Sequence, residues 1–235
     1  MITQAITVYL HRSQTHQSVE LHPIISHFAR LLLWLKCATA TKPWVAVHRL
    51  HHAEVETDID PHSPVKKGLL SVLFLGYFHY KNGIKELKEM TVGGESGYDH
   101  YGIGTPNDWM ERNVYSKFTF YGLILNLFLW FVLFGPPGII LWLIDTLWMP
   151  LAAGGVINGI GHSVGYRTYD TKDNSRNVLP FDPLFGGEIY HNNHHKLQWS
   201  PKFSHKWWEI DTGWISIQIL RFFRLAKLKR APGKF

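Results

Sequence analysis

The longest apolar stretch of the chain begins at Phe118 and contains no charged residue before Asp145. Only Gly135-Pro136-Pro137-Gly138 interrupts it, and glycine and proline at this density indicate a turn. Residues 118–134 would form a helix of roughly 26 Å at 1.5 Å per residue, close to the thickness of the hydrocarbon core of a bilayer. The pattern therefore predicts a transmembrane hairpin with helices at residues 118–134 and 138–157.

The charges around this hairpin predict its orientation. Arg112, Lys117, Arg167 and Lys172 flank its open side, whereas the turn carries no charge. The positive-inside rule places those flanks in the cytoplasm. Asp145 lies within the second helix, where an ionisable group is costly and is usually either paired or functional. The sequence leaves open whether Asp145 has a structural partner or lines a pocket.

Other apolar segments are shorter than the roughly 20 residues that cross a bilayer. Residues 1–10 are predicted to be the remnant of a membrane helix, because they lack the charged start and the cleavage site of a signal peptide. Residues 23–36 and 68–78 are predicted to form core or interfacial helices. The polar segment from residue 80 to 117, with turn signals such as Asn82-Gly83, is expected in water.

The end of the chain predicts an amphipathic helix. Two arginines, Arg221 and Arg224, lie opposite an apolar face. That face contains Ile215, Ile219, Phe222, Phe223 and Ala226. A basic helix at a membrane surface and an ordinary solvated helix end both fit this pattern. The fold class is therefore predicted as all-α: one domain, residues 1–235, consisting of a membrane-embedded helical bundle with a cytosolic helical cap formed by residues 11–117 and 158–235.

Composition narrows the class of protein. Hydrophobic residues make up 46% of the chain, yet the mean hydropathy is only -0.09, which indicates a modest membrane part and a large polar part. The single Cys37 excludes an internal disulfide and an iron–sulfur cluster held by this chain. The net charge of +6 comes without any nucleic-acid-binding motif, so it fits an anionic membrane surface or substrate better than a nucleic acid.

Histidines are concentrated in three short motifs. Two of them have the form HxxHH, and the third is a looser pair with four residues between its histidines. These motifs contain eight of the 15 histidines: His11 and His16, then His48, His51 and His52, then His191, His194 and His195. Positions i, i+3 and i+4 lie on one face of a helix, while adjacent residues point about 100° apart. Eight imidazoles are too many for one ion, so the spacing predicts a dinuclear metal centre.

In their order and spacing, HRSQTH, HRLHH and HNNHH resemble the three histidine boxes of the membrane-bound fatty acyl desaturases. Asn158-Gly159-Ile160-Gly161-His162 resembles an Asn-x-x-x-His motif of the acyl-CoA desaturase branch, and residues 165–170 and 173–177 resemble its linking segment. The resemblance runs from about residue 8 to about residue 220. In the family a two-helix membrane hairpin precedes the first box, and most of it is missing here, so a downstream start or a truncated chain is expected.

The resemblance implies an iron pair bound by nine histidines, with an asparagine acting through a bound water. The implied ligands are His11, His16, His48, His51, His52, His162, His191, His194 and His195, with Asn158 at the water. It also implies O₂ as co-substrate, a long acyl chain as substrate and a cis double bond, at Δ9. The chain has no HPGG haem motif, so electrons are expected from a separate ferredoxin, cytochrome b5 or reductase. The active site is expected on the cytoplasmic side of the membrane, the inner or plasma membrane if the protein is bacterial.

Supporting roles are also predicted around these ligands. Trp44 is expected to pack behind the second histidine box, one helical turn before His48. Carboxylates are expected to orient the imidazoles, and the acids nearest in sequence are Glu188, Asp170 and Glu54. The candidate contacts for an anionic substrate head are Arg12, Arg49, Arg167 and Lys172.

Three other functions fit parts of the pattern. A histidine-box membrane hydroxylase would use the same irons, but the spacing of the first box and the Asn158 motif favour desaturation. A metal transporter would place its histidines within the spans, whereas these flank them. An inactive or non-catalytic metal-binding relative would follow from a truncated N-terminus.

Overall fold

A computed structural model describes residues 1–182 and 184–233, apart from the side chain of residue 153. As the sequence predicted, this part of the chain is mostly helical. It also contains two small antiparallel sheets, which the all-α prediction did not include. The α-helices are α1 (Ile2–Gln4), α2 (Pro23–Cys37), α3 (Thr41–Ala53), α4 (Pro64–Lys67), α5 (Leu69–Glu89), α6 (Gly97–Tyr101), α7 (Tyr121–Phe134), α8 (Pro137–Met149), α9 (His191–Lys196) and α10 (Thr212–Phe222). The strands are β1 (Val19–Leu21), β2 (Thr91–Val92), β3 (Glu95–Ser96) and β4 (Ala226–Leu228). Wider π-helical turns cover Ala5–Thr15, Glu111–Tyr115 and Pro150–Gly159, and a 3₁₀ turn covers Ile160–His162.

The apolar hairpin is present, with different bounds from those predicted. Helix α7 has 14 residues and is shorter than the roughly 20 that cross a bilayer. Helix α8 continues through Pro150–Gly159 to His162, so that Pro137–His162 forms one helical run of 26 residues. By length and composition, this run is the one helix among the described residues that could cross a membrane.

The N-terminal segment forms part of the protein core. Residues 1–10 are helical, and Ala5, Val8 and Leu10 are buried in a cluster with Leu33 of α2. Strand β1 follows and pairs antiparallel with β4, with Val19 opposite Leu228. This sheet joins the two ends of the described chain beside the first histidine box.

Two helices differ from their predicted bounds. Helix α5 extends to Glu89 rather than ending near Phe78, because Asn82-Gly83 does not form a turn. A Cβ on Gly83 would lie 3.0 Å from a carbon of Pro61, so glycine is needed there for close packing. The predicted final helix was too long, since α10 ends at Phe222 and Ala226 lies on β4.

Large apolar side chains remain exposed on several helices. On α5, Leu70, Phe74 and Phe78 recur every four residues and are 71%, 72% and 60% exposed. Most large side chains of α7 and α8 are exposed as well, including Phe128 and Ile140. Such a large apolar surface is unusual for a soluble monomer and typical of a membrane or protein interface.

Candidate metal centre

The first box owes its geometry to the π-helical turn of Ala5–Thr15. The His16 N–H donates to the His11 carbonyl at 3.0 Å, five residues back. In an α-helix, residues five apart point about 140° away from each other, whereas a π-helical turn stacks them on one side. The four-residue gap therefore brings both imidazoles together, with ring centroids 4.8 Å apart.

The structure brings all nine predicted histidines together in two groups. The first group contains His11, His16, His48, His52 and His194; the second contains His51, His162, His191 and His195. Within each group one ring nitrogen from every residue lies within 4.8 Å of the others. Helices α3 and α9 each contribute to both groups, because their adjacent histidines point to different sides as predicted. Asn158 is buried, lies one turn before His162 and lines a cavity next to the groups.

The ring nitrogens converge at distances that suit a shared ion. In the first group, Nε2 of His194 lies 3.1 Å from Nε2 of His11 and 3.0 Å from Nε2 of His52. In the second group, Nε2 of His191 lies 3.0 Å from Nε2 of His162. Two imidazole nitrogens bound at right angles to one metal at about 2.1 Å are about 3.0 Å apart. The donor sets therefore fit metal ions in size.

Hydrogen bonding alone does not satisfy this arrangement. A neutral imidazole nitrogen carries either one hydrogen or one lone pair. Nε2 of His52 meets Nε2 of both His48 and His194, each at 3.0 Å, so the contacts cannot all be good hydrogen bonds. Among the described residues, Nε2 of His51 and of His195 is buried without a hydrogen-bond partner. A cation accepting these lone pairs resolves both problems.

The imidazoles are held in the neutral form that binds metals. Burial, with neighbouring imidazoles adding to it, lowers the pKa of six rings well below the usual value of about 6.5. These rings are His16, His48, His52, His191, His194 and His195.

Carboxylates contact Nδ1 of four of the rings, on the side away from the centre. Nδ1 of His11 lies 2.6 Å from Glu188, and Nδ1 of His51 lies 2.9 Å from Asp60. Nδ1 of His162 lies 3.1 Å from Glu56, and Nδ1 of His195 lies 3.0 Å from Asp173. A carboxylate on Nδ1 fixes the ring and directs the Nε2 lone pair toward the centre. The four acids are distributed over both groups, one for the first and three for the second.

The sequence identified one of these four acids. Glu188 was predicted, whereas the predictions for Asp170 and Glu54 were wrong. The Asp170 side chain is exposed and lies 3.7 Å from Arg167, away from the histidines. Glu54 contributes its backbone to the end of α3, and in the described part of the chain its side chain makes no hydrogen bond or ion pair with an imidazole. The acids that contact the rings lie two to six residues after the predicted ones in the same loops. Which acid reaches a ring depends on the conformation of the loop.

The predicted arginine contacts to a substrate head are also wrong for two residues. Arg12 is completely buried, pairs with Asp211 at 2.9 Å and lies over the Phe203 ring. Arg49 donates to four backbone carbonyls, including those of Gln14 and Thr15. Their guanidinium groups are therefore occupied inside the protein, where Arg49 holds the end of the first box.

Two other predicted residues have defined partners. Trp44 stacks on His48, with ring centroids 4.9 Å apart and an interplanar angle of 6°, which agrees with the predicted packing. Asp145 forms an ion pair with Lys36 of α2, so its role is structural. The pair joins the apolar hairpin to the helix next to it.

A mostly apolar cavity lies beside the first group. Its lining includes His11, His48 and Glu188 at the histidine groups and apolar side chains such as Ile6, Val47, Met149 and Ile157. The cavity measures about 110 Å³. An apolar cavity with a few polar groups is the usual form of a small-molecule site.

Sequence reasoning missed a tenth histidine beside the groups, His62, which is buried. His62 lines the same cavity, and its ring lies 5.8 Å from that of His51. Burial lowers the pKa of His62 to about 3. The Asp60-Pro61-His62 run contains the signal, since the Asp60 that orients His51 also accepts the His62 backbone N–H at 2.9 Å.

Comparison with known proteins identifies the relatives of this chain. A family model described as "Fatty acid desaturase" matches residues 1–211. The chain is 30% identical over 227 residues to an sn-1 stearoyl-lipid 9-desaturase of Anabaena variabilis, covering 94% of this chain and 76% of the relative. It is 29% identical to an acyl-CoA 5-desaturase of Anemone leveillei (97% and 68% covered) and 28% identical to delta-9 acyl-lipid desaturase 1 of Arabidopsis thaliana (97% and 72% covered).

Proposed function

The chain belongs to the fatty acid desaturase family, and from this premise we propose that it introduces a cis double bond, at Δ9, into a long acyl chain. The observation that carries the proposal is the pair of histidine groups beside an apolar cavity. The relatives named above differ in double-bond position and in acyl carrier, lipid or CoA. The Δ9 position is therefore proposed from the two relatives that are 9-desaturases.

We assign the nine histidines as ligands of two irons, with five in the first group, four in the second and Asn158 acting through water at the second. An iron pair with O₂ supplies an oxidant strong enough to remove hydrogen from an unactivated methylene. Taking two hydrogens from the chain and reducing O₂ to two waters requires two further electrons, from an external donor, and two protons. Neutral imidazoles would leave a bound iron pair cationic.

The chain's own residues prepare this site. Glu188, Asp60, Glu56 and Asp173 hold four rings from behind, and Trp44 keeps His48 in its orientation by stacking. The apolar cavity is the proposed site of the acyl methylenes and excludes water from them. The Thr7–Glu188 hydrogen bond fixes the carboxylate that faces both the cavity and His11.

We further propose that the apolar hairpin is embedded in a membrane and that the histidine groups lie on its cytoplasmic side. The exposed apolar faces of α7 and α8 support this placement. His162 is the last residue of the 26-residue helical run, which supports a position of the groups at the edge of the membrane rather than within it. A long acyl chain could then enter the cavity from the lipid.

Expression in a desaturase-deficient host, with gas chromatography of total fatty acids, tests this function. We expect new monoenes whose double-bond position reports the regiochemistry, and we expect His194→Ala to abolish them. His100→Ala is the matched control, because His100 is exposed and pairs with Glu95 on the surface. Hydroxylated chains would identify the alternative hydroxylase. Membrane-inserted protein with a working donor and no product would identify a non-catalytic metal-binding relative.

A further inference from the structure

The last part of the described chain presents only positive charge to solvent. Residues 196–233 contain eight basic residues: Lys196, Lys202, Lys206, Arg221, Arg224, Lys227, Lys229 and Arg230. The two acids in this range are buried, since Glu209 is 6% exposed and Asp211 is 3% exposed. Glu209 accepts hydrogen bonds from Asn193 and from backbone N–H groups, and Asp211 pairs with Arg12. Neither carboxylate therefore neutralises the surface lysines.

Exposed tryptophans accompany these lysines on the loop that follows α9. Trp207 is 91% exposed, Trp199 is 45% exposed and Trp208 is 42% exposed. Large aromatic side chains are costly to leave in water and are enriched at the centres of protein interfaces. We call Trp199, Trp207, Trp208, Lys196, Lys202 and Lys206 the tryptophan–lysine patch.

This patch is connected directly to the histidine groups. The rings of Trp207 and Trp208 are 5.5 Å apart, and Glu209 follows Trp208 directly in the chain. The Tyr166 hydroxyl donates to Glu209 at 2.6 Å, and the other oxygen of Glu209 accepts from Asn193 at 3.0 Å. Asn193 is the residue before His194 on α9. The peptide bond between Trp208 and Glu209, the Glu209–Asn193 hydrogen bond and the peptide bond between Asn193 and His194 thus link an exposed indole to a candidate ligand.

We propose that the tryptophan–lysine patch is the docking surface for an acidic one-electron carrier protein. The inference rests on the proposed function, which needs two electrons per turnover from outside. With iron bound by the histidine groups, each encounter would transfer one electron from the reduced carrier to a ferric ion, so two encounters would supply one turnover. Lysines attract the acidic carrier, the tryptophans provide the buried contact, and the Trp208–Glu209–Asn193 connection leads from the patch to His194.

The positive charge of the patch and its connection to the histidine groups favour a carrier protein over a lipid surface as its partner. An anionic bilayer would also attract the lysines. However, binding to a bilayer would not use a connection that ends at the histidines.

The test measures carrier binding apart from desaturation. The full chain, metal-free and in phosphatidylcholine nanodiscs, is titrated with a ferredoxin of net negative charge. We expect Lys196→Glu/Lys202→Glu/Lys206→Glu to weaken binding at least about tenfold at low ionic strength, with a smaller difference at high salt. The matched control is Lys81→Glu/Lys85→Glu/Lys88→Glu on α5, which makes the same change in charge on exposed or partly exposed positions and is expected to stay within about twofold.

Further measurements distinguish a patch that binds a carrier protein from one that binds lipid. Trp207→Ala, at a fully exposed position that the fold does not need, is expected to weaken ferredoxin binding about tenfold. The proposal would be overturned if the patch variant and the α5 control variant lost ferredoxin affinity equally, or if the patch variant lost none. Loss of binding to phosphatidylglycerol vesicles with unchanged ferredoxin binding would assign the patch to lipid instead. Carrier binding that depends on the patch without any unsaturated product would retain the docking surface and reject the proposed function.

Discussion

At the scale of single residues, the two histidine groups differ in their support. Three carboxylates hold rings of the second group, whereas the first has Glu188 and the stacked Trp44. Loss of a hydrogen bond between a carboxylate and a metal-binding imidazole typically lowers metal affinity by about 10- to 100-fold. The second group is therefore expected to depend more on its acids than the first.

The nine histidines could be predicted from the sequence, but most of the acids that orient them could not. Helix spacing predicts which rings of the second and third boxes point together, whereas His11, His16 and His162 are assigned through the resemblance to the desaturase family. Glu56, Asp60 and Asp173 lie in loops, where sequence distance to a histidine says little about spatial distance. Asp60, for example, reaches His51 because its loop folds back over nine residues.

Asp60→Asn tests the role of this buried carboxylate. Asp60 and His51 are both fully buried, and the substitution keeps the size of the side chain but removes its charge. We expect the metal affinity of the second group to fall by about 10- to 100-fold, because the ring loses its anionic partner. Competition with a chelator, followed by metal analysis of the protein, measures this affinity.

Asp58→Asn is the control for this experiment. Asp58 lies in the same loop, but its side chain is 89% exposed and pairs with Lys66 at the surface. Its substitution is expected to leave the metal affinity unchanged. Equal effects of the two substitutions would show that loop charge in general, rather than the Asp60–His51 contact, controls binding.

At the scale of elements, the π-helical turn is the feature that the sequence pattern does not reveal. The HRSQTH spacing is recognisable from its resemblance to a family, while an α-helix would separate the two rings. The i→i+5 hydrogen bond between His16 and His11 provides the physical reason for the spacing. Local rules also fail at Asn82-Gly83, where the helix continues and Gly83 packs closely against Pro61.

Deletion of Gln14 tests this relation between spacing and helix type. The deletion leaves three residues between the histidines and favours an ordinary α-helical turn. We expect the first group to lose its metal while the second keeps it, so that iron falls from about two to about one per chain. Gln14→Ala keeps the spacing and should retain both metals. Full iron content in the deletion variant would argue against the π-helical turn as the cause.

The Lys36–Asp145 ion pair joins α2 to α8 and gives a second prediction at this scale. Both side chains are mostly buried, at 19% and 21% exposure. Lys36→Met would leave the carboxylate unpaired and is expected to lower the free energy of unfolding by about 3 kcal/mol. Lys36→Met/Asp145→Leu should recover most of this loss, because no charge then remains unpaired.

Thermal unfolding in detergent micelles measures both variants. Lys66→Met provides the comparison, since the Lys66–Asp58 pair lies at the surface with side chains 41% and 89% exposed. Exposed pairs contribute little, so this substitution is expected to change stability by less than about 1 kcal/mol. A double variant as unstable as Lys36→Met would indicate that lost packing, and not the unpaired charge, is responsible.

At the scale of the whole molecule, the surface divides into an apolar part and a basic part. The apolar part comprises the exposed sides of α5, α7 and α8, and the basic part follows α9. The apolar hairpin could be predicted from the sequence because a long uncharged run is typical of helices that contact lipid. The distribution of charge after α9 could not, since burial of Glu209 and Asp211 is a property of the folded chain.

If the apolar part contacts lipid, replacing an exposed apolar residue by arginine should cost more there than at a position in water. Phe128 on α7 is 62% exposed, and Ile103 in the polar segment before the hairpin is 68% exposed. If α7 contacts lipid, Phe128→Arg adds a charge within the bilayer and costs about 2.5–3.5 kcal/mol. Ile103→Arg, at a position expected in water, should cost less than about 0.5 kcal/mol. The yield of carbonate-resistant protein in the membrane fraction reports the difference, and similar yields for both variants would mean that a protein partner, rather than lipid, covers the face of α7.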